Sequence, residues 1–189
     1  MTQLDFSTIL PYTILTAWAC VLLLVDLFIP KNRKGITALL AALGLALTLG
    51  FTLMQIGTER VGFNNMVVLD GFSTFVNALL LVSGLLGVAL AYGYVKRVGI
   101  ERGEYYTLLL FSVTGMMLMA QAADLIMVFL ALELLSIPLY VLCATEMRRE
   151  RSLESGLKYL IIGSVGSATL LYGLAVVYVK LGVLGTGGG

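Results

Sequence analysis

Glu133 is the residue whose type and position most directly suggest chemistry in this sequence. It lies near the middle of the apolar run AADLIMVFLALELLSIPLYVLCAT, about 12 residues or roughly 18 Å from the basic end of that run. Inside a membrane, an ionised carboxylate at that depth costs several kcal/mol unless it is paired, hydrated or protonated. An intramembrane acid therefore favours a role in ion or proton movement. The structural alternative is a protonated carboxyl that hydrogen-bonds to a neighbouring helix.

The residues after Glu133 extend its polar character along one side of the predicted helix. Ser136 and Tyr140 follow at i+3 and i+7 and so share its helical face. Pro138 cannot donate a hydrogen bond to the carbonyl of Leu134, and its ring crowds that carbonyl. The sequence thus predicts a kink and a free backbone acceptor beside Glu133. A kinked helix with a polar stripe suits a chain of buried water.

Lys158 is the second candidate for charge transfer. It lies about one turn after Glu154, and Thr169 and Tyr172 continue its helical face at i+11 and i+14. The alternative is a lysine whose apolar stem simply extends to the membrane–water interface. If the two helices are antiparallel neighbours, Glu133 and Lys158 differ in depth by roughly 10 Å, so water would have to connect them. Their charges would still couple, since an ammonium in low dielectric stabilises a nearby carboxylate.

Other polar and small residues have structural interpretations. Asp26 and Asp124 fall near helix ends, where a carboxylate is expected to reach headgroup water at modest cost. Asp70 precedes a helix in LDGFSTF and suits an N-terminal position, where its charge opposes the helix dipole. Gly156 and Gly163 lie on a different face of their helix from Lys158. Because small residues let helix backbones approach closely, this face is expected to pack against another helix.

Composition shows which elements must hold these side chains. Of 189 residues, 59% are apolar and 12% are charged, with a mean hydropathy of +0.99. A soluble domain carries about twice that charged fraction, so a soluble or secreted enzyme is excluded and lipid must surround most of the chain. Residues 1–189 are therefore expected to form a single, all-α integral membrane region. Runs of about 20 apolar residues predict six transmembrane helices, at about 8–29, 36–57, 72–95, 104–121, 124–145 and 156–180.

Basic residues indicate how these helices cross the membrane. Nine of the twelve lysines and arginines lie in the loops after the first, third and fifth runs: Lys31, Arg33, Lys34, Lys96, Arg97, Arg102, Arg148, Arg149 and Arg151. The intervening loops carry only Arg60. Since basic loops face the cytoplasm, the pattern predicts a multi-pass protein of a bacterial inner (plasma) membrane with its N-terminus outside.

Few residues suggest other kinds of site. There is no histidine, and Cys20 and Cys143 lie in apolar runs without a CxxC pair, so a zinc site is improbable and haem ligation by histidine is excluded. No glycine-rich phosphate loop or nucleophile elbow is present. Bond chemistry is therefore not expected on this chain, nor are a bound cofactor, a metal or nucleic acid. The tail GVLGTGGG is expected to be flexible.

Three segments carry a family resemblance. LDGFSTF, then GEYYTLLLFSVTGMMLMAQAADLIMVFLALELLSIPLYVL, then ESGLKYLIIGSVGSATLLYG resemble the antiporter-like subunit N family (chain 2) of proton-translocating NADH–quinone oxidoreductase, respiratory complex I. The resemblance spans roughly residues 65–175. ELLSIPLYVL and LKYLIIGS match the family's fifth and sixth helices, whereas the first two helices carry no motif that identifies the family.

The resemblance implies a larger fold than these residues contain. The family has about fourteen helices built as two inverted five-helix repeats, so the 189 residues would be an N-terminal portion, truncated relative to the family. Glu133 matches an acid on the fifth helix of a proton path, and Lys158 matches a lysine on the sixth. The lysine on the seventh helix that normally partners the acid would lie outside this chain.

The resemblance also implies partners and alternatives. The chain would join other membrane subunits of complex I in the lipid bilayer and couple quinone reduction to proton pumping, making it a subunit of a translocase. NADH, FMN, iron–sulfur clusters and quinone are expected on other subunits. A subunit of a related multisubunit cation/proton antiporter or membrane-bound hydrogenase fits the same pattern around Glu133. A membrane scaffold without transport is the alternative of a different class.

Overall fold

Six helices and one short hairpin make up the fold. The computed structural model describes residues 3–29, 35–63, 66–98, 103–146 and 149–186. In chain order the elements are α1 (Gln3–Phe28), α2 (Gly35–Met54), β1 (Arg60–Gly62), β2 (Val67–Leu69), α3 (Gly71–Val98), α4 (Glu104–Gln121), α5 (Leu125–Cys143) and α6 (Glu150–Thr186). One helix occupies each predicted run, so the all-α membrane fold class is confirmed. Helix ends differ from the predicted ones mainly in α1 and α6.

Helix α4 lies at the centre of the bundle. It packs against α1, α2, α3 and α5, whereas α6 packs mainly against α5 among the described helices. Five helices of the described part are long and apolar enough to cross a membrane, and α4 is the one that falls short. Because its neighbours shield α4 from lipid on most sides, it tolerates polar residues such as Thr107, Thr114 and Gln121, which are all buried.

The core between α1, α2, α3 and α4 is apolar at mid-depth. Its fully buried large side chains include Leu15, Leu45, Leu81, Leu110 and Met117. Lipid tails are as apolar as these residues, so close packing rather than escape from water must hold the helices together. Glycines make that packing possible, because neighbouring helices meet where a side chain is missing. A Cβ atom on Gly115 would lie 2.5 Å from the backbone nitrogen of Leu135, so the backbones of α4 and α5 are in contact.

A hairpin between α2 and α3 closes one end of the bundle. Strands β1 and β2 are antiparallel, with Val61 opposite Val68. Val67 forms a further bridge to Ala122 in the α4–α5 turn and is fully buried. The hairpin is therefore part of the core, because it seals the ends of α1 and α4. We call this the hairpin end of the bundle and the opposite one the basic end.

Helix α6 is longer than its apolar run. It begins at Glu150, six residues before the predicted start, and continues to Thr186. The early start is supported by the acidic residue in the first turn, which complements the helix dipole, and by a 2.9 Å hydrogen bond from the Ser152 hydroxyl to the carbonyl of Cys143. The expectation of a flexible tail directly after Lys180 was wrong up to Thr186. Isolated glycines weaken a helix by about 1 kcal/mol each without ending it.

Asp70 caps α3, as its position predicted. Its Oδ1 accepts a 2.7 Å hydrogen bond from the backbone N–H of Ser73, and its own N–H donates to the Ser73 hydroxyl at 2.9 Å. These reciprocal bonds satisfy donors that a helix start leaves unpaired. The backbone N–H of Ser73 is the main cause that lowers the pKa of Asp70 below its ordinary value.

Substituting Gly115 with alanine is expected to destabilise the bundle by about 1–3 kcal/mol, because α4 and α5 must separate to admit the methyl group. Unfolding by denaturing detergent would measure the loss. Gly166→Ala is the matched control, since a Cβ there meets no atom within 4 Å. Equal stability of the two variants would contradict the close helix contact.

Asp70→Ala is expected to lower the free energy of unfolding by about 1 kcal/mol at neutral pH, through loss of the cap. The carboxylate form is the better acceptor and the folded pKa is lowered. The stabilisation is therefore present above the ordinary aspartate pKa and disappears as the pH falls through the lowered value. Unfolding curves at several pH values would show the wild type losing its advantage over Asp70→Ala in acid. A pH-independent difference would argue against the charged cap.

Candidate functional site

Glu133 lies in the middle of α5 and is only partly exposed. Helix α5 begins at a well-formed cap, in which Asp124 Oδ1 accepts a 2.7 Å hydrogen bond from the backbone N–H of Ile126. The Oε1 atom of Glu133 is buried and has no hydrogen-bond partner among the described residues. A carboxyl oxygen in that state is costly in an apolar medium. The described residues therefore leave Oε1 of the Glu133 carboxyl without a hydrogen bond that usually accompanies burial.

The contact between α4 and α5 fixes the position of Glu133. A Cβ on Gly115 would lie 2.9 Å from the carbonyl carbon of Leu134, so the two backbones touch one residue after the acid. Ala131 is fully buried two residues before it. The backbone on both sides of Glu133 is thereby held by close packing, which fixes the depth of this residue relative to α4.

Pro138 is buried inside α5, which continues without a break to Cys143. The helix thus accommodates the proline, and the kink remains a prediction. Ser136 is partly buried on the same helix. Tyr140, the far end of the predicted stripe, is buried and meets the ring of Tyr159 edge-on, at 4.8 Å between centroids.

The face of α6 that meets α5 is built from glycines, as predicted. A Cβ on Gly163 would collide with the Tyr140 hydroxyl, and one on Gly156 would lie 2.6 Å from the Cβ of Ala144. Lys158 is two residues, or about 200°, around the helix from Gly156, so it points away from α5. Glu133 and Lys158 are therefore not brought together by the described structure.

Lys158 instead forms an exposed ion pair within α6. Its Nζ lies 2.6 Å from Glu154 Oε1, and the side chains are 67% and 60% exposed. An exposed pair at i and i+4 contributes little to stability, because solvent screens it and ordering two long side chains opposes it. The pair is therefore not a structural requirement of the described bundle.

Asp26 corrects one expectation. It was expected to reach headgroup water, yet it is only 8% exposed and accepts a 2.8 Å hydrogen bond from the Thr37 hydroxyl. Its carboxylate also packs against Gly103 at the start of α4, so closely that a Cβ there would collide with it. The positive end of the α4 dipole favours this placement. Sequence spacing gave no signal that α2 and α4 would cover the carboxylate.

Substituting Lys158 with glutamine is expected to change the free energy of unfolding by less than about 1 kcal/mol. Glu154→Gln breaks the same pair and is the matched control. Denaturing-detergent titration would compare both variants with wild type. A larger loss in Lys158→Gln alone would mean that the lysine has a structural partner other than Glu154.

Comparison with known proteins agrees with this geometry. The family described as "NADH:quinone oxidoreductase/Mrp antiporter, TM" matches residues 122–186, which include α5 and α6. A chain of respiratory complex I from Thermus thermophilus, solved with bound aureothin, superposes with a TM-score of 0.74 at 33% sequence identity. That match covers 89% of this chain and 36% of the other.

Curated relatives extend the similarity over nearly the whole chain. NADH-quinone oxidoreductase subunit N 2 of Roseiflexus castenholzii is 42% identical over 176 residues, which are 92% of this chain and 35% of that protein. NADH-quinone oxidoreductase subunit N of Trichlorobacter lovleyi is 39% identical over 184 residues, or 97% of this chain and 37% of the relative. This chain therefore spans little more than a third of the length of these relatives.

The fold is that of a multi-pass helical membrane protein, and residues 122–186 match the antiporter-like membrane family. Within that class, the chain is homologous to subunit N of NADH-quinone oxidoreductase over most of its length. The family resemblance of its motifs is thereby confirmed.

Proposed function

We propose that this chain is part of a proton-translocating membrane subunit of NADH-quinone oxidoreductase, with Glu133 as a proton-carrying group. The observation that carries the proposal is the buried Oε1 of Glu133, which has no hydrogen-bond partner within the described ranges. A structural acid would be expected to have one. The names of the relatives support the complex in which the acid would act.

The mechanism would be electrostatic. A cation that approaches a carboxyl in a low-dielectric site favours release of its proton, and withdrawal of the cation favours uptake. Quinone reduction elsewhere in the complex would supply the energy that changes the neighbouring charge. NADH, FMN, iron–sulfur clusters and quinone would bind to other subunits, and the other membrane subunits of the complex would be the partners of this chain.

Lys158 would act at a distance from Glu133. Its ammonium already shares an exposed ion pair with Glu154, and it faces away from α5. Direct proton transfer between Glu133 and Lys158 would therefore need intervening water. In this arrangement Lys158 would accept or release the proton at the basic end, and Glu133 would hold it at mid-depth.

The basic residues support an orientation in a bacterial inner membrane. Arg97 is exposed at the end of α3, and Arg149 and Arg151 are exposed at the start of α6, which places all three at the basic end. Arg60 lies in the hairpin at the opposite end. Under the positive-inside rule the basic end would face the cytoplasm and the N-terminus would lie outside.

Glu133→Gln is expected to lower proton translocation and coupled quinone reduction on the order of tenfold, since a proton carrier is removed, while assembly is retained. Sealed vesicles containing the full-length subunit in its complex would report pumping, and native gels would report assembly. Glu154→Gln is the matched control, because Glu154 is an exposed acid. Unchanged pumping in an assembled Glu133→Gln complex would leave the acid structural or redundant.

A cation/proton antiporter subunit is the second candidate function. The matched family covers Mrp antiporters as well as NADH:quinone oxidoreductases. The same vesicles discriminate the two: sodium-driven proton exchange without added NADH would favour the antiporter, and pumping that requires quinone reduction would favour the oxidoreductase.

A further inference from the structure

Three buried polar side chains at the hairpin end have no role in the proposed path through Glu133. Tyr12 of α1, Asn77 of α3 and Gln121 of α4 are exposed by only 4%, 1% and 3%. The hydroxyl of Tyr12 lies within hydrogen-bonding reach of the Asn77 side chain. Even so, that hydroxyl and the amide oxygens of Asn77 and Gln121 form no well-aligned hydrogen bond within the described part of the chain.

Asn77 and Gln121 lie at the same depth on neighbouring helices. Helices α3 and α4 are antiparallel and meet at mid-depth, where a Cβ on Gly84 would lie 3.1 Å from the side chain of Val113. From that contact, Asn77 is seven residues or about 10 Å towards the hairpin end, and Gln121 is eight residues or about 12 Å in the same direction. Both amides therefore belong to one layer of the bundle.

The hydroxyl of Tyr12 reaches the same layer from α1. Asp26 contacts Gly103 at the basic end, and from there Tyr12 is about 21 Å and Gln121 about 27 Å along their helices. Helical side chains lean towards the N-terminus of their own helix. Tyr12 therefore points towards the hairpin end and Gln121 points away from it, so the two side chains converge.

There is also room beside this layer. Tyr12 and Thr114 line one open, largely apolar cavity of about 500 Å³ between α1, α4, α5 and the hairpin. Gln121 is seven residues after Thr114 and so lies on the same face of α4. Buried water needs space for at least one molecule and two to four polar partners. The cavity adjoins the layer at Tyr12, and the three side chains are the polar partners.

We propose that Tyr12, Asn77 and Gln121 form a binding site for ordered water inside the hairpin end of the bundle. The water would donate to the amide oxygens and exchange a hydrogen bond with the tyrosine hydroxyl, which completes the bonding of three buried groups. The site is separate from Glu133, because Gln121 is about 120° around α4 from the Gly115 face that contacts α5.

X-ray hydroxyl-radical labelling of the full-length subunit in its native complex tests this site, because radicals generated from bound water label the side chains beside it. Tyr12 is expected to be labelled several-fold faster than Tyr106, an equally buried tyrosine of α4 with 3% exposure. In a complex carrying both Asn77→Leu and Gln121→Leu, which removes two of the three partners, the ratio of the two rates should fall to about one.

Equal, slow labelling of Tyr12 and Tyr106 in the wild type would overturn the proposal, and so would an unchanged ratio in an assembled double variant. If the double variant fails to assemble on a native gel, the wild-type complex still decides. A cryo-EM map that resolves water should then show density within hydrogen-bonding distance of at least two of the three side chains. A map in which these side chains bond directly to one another, without intervening density, would refute the site.

Discussion

The close backbone contact between α4 and α5 at Gly115 is the constraint on which the rest of the fold depends. In a bilayer the hydrophobic effect does not drive helices together, so close packing and interhelical hydrogen bonds must hold them. Helix α4 is too polar to face lipid over most of its surface, yet it becomes a suitable central element once α1, α2, α3 and α5 surround it. The missing side chain at Gly115 lets α5 come close enough to complete that cover.

The same contact connects packing to chemistry. The residues that touch Gly115 are Leu134 and Leu135, immediately after Glu133. A rigid backbone beside a buried carboxyl keeps the acid at one depth, which is the pre-organisation that the proposed proton transfer would need. Helix α6 contributes in a different way, because its glycine face seats on Tyr140 and Ala144 and leaves Lys158 on the side away from α5.

Features that follow from composition and from one helix at a time were readable in the sequence. The apolar runs located all six helices, the lone acid identified Glu133, and LDGFS identified the cap at Asp70. Features that depend on how separate helices meet were not readable. Asp26 became buried because Thr37 and Gly103 converge on it from distant positions, and Val67 became part of the core because the hairpin folds over the bundle. The sequence correctly indicated that Glu133 and Lys158 do not pair directly, since helical rise alone sets their depths.

The length of helix α6 limits how it can be oriented in a bilayer. Its 37 residues correspond to about 55 Å, whereas a bilayer with its headgroups is about 40–45 Å thick. Oriented along the membrane normal, the helix would project beyond the headgroups by about 10 Å or more. A tilted helix would project less. Among the described elements, α6 packs mainly against α5, through the face that carries Gly156 and Gly163. Helix α6 is longer than the bilayer is thick, so it must either lean or project beyond a membrane face.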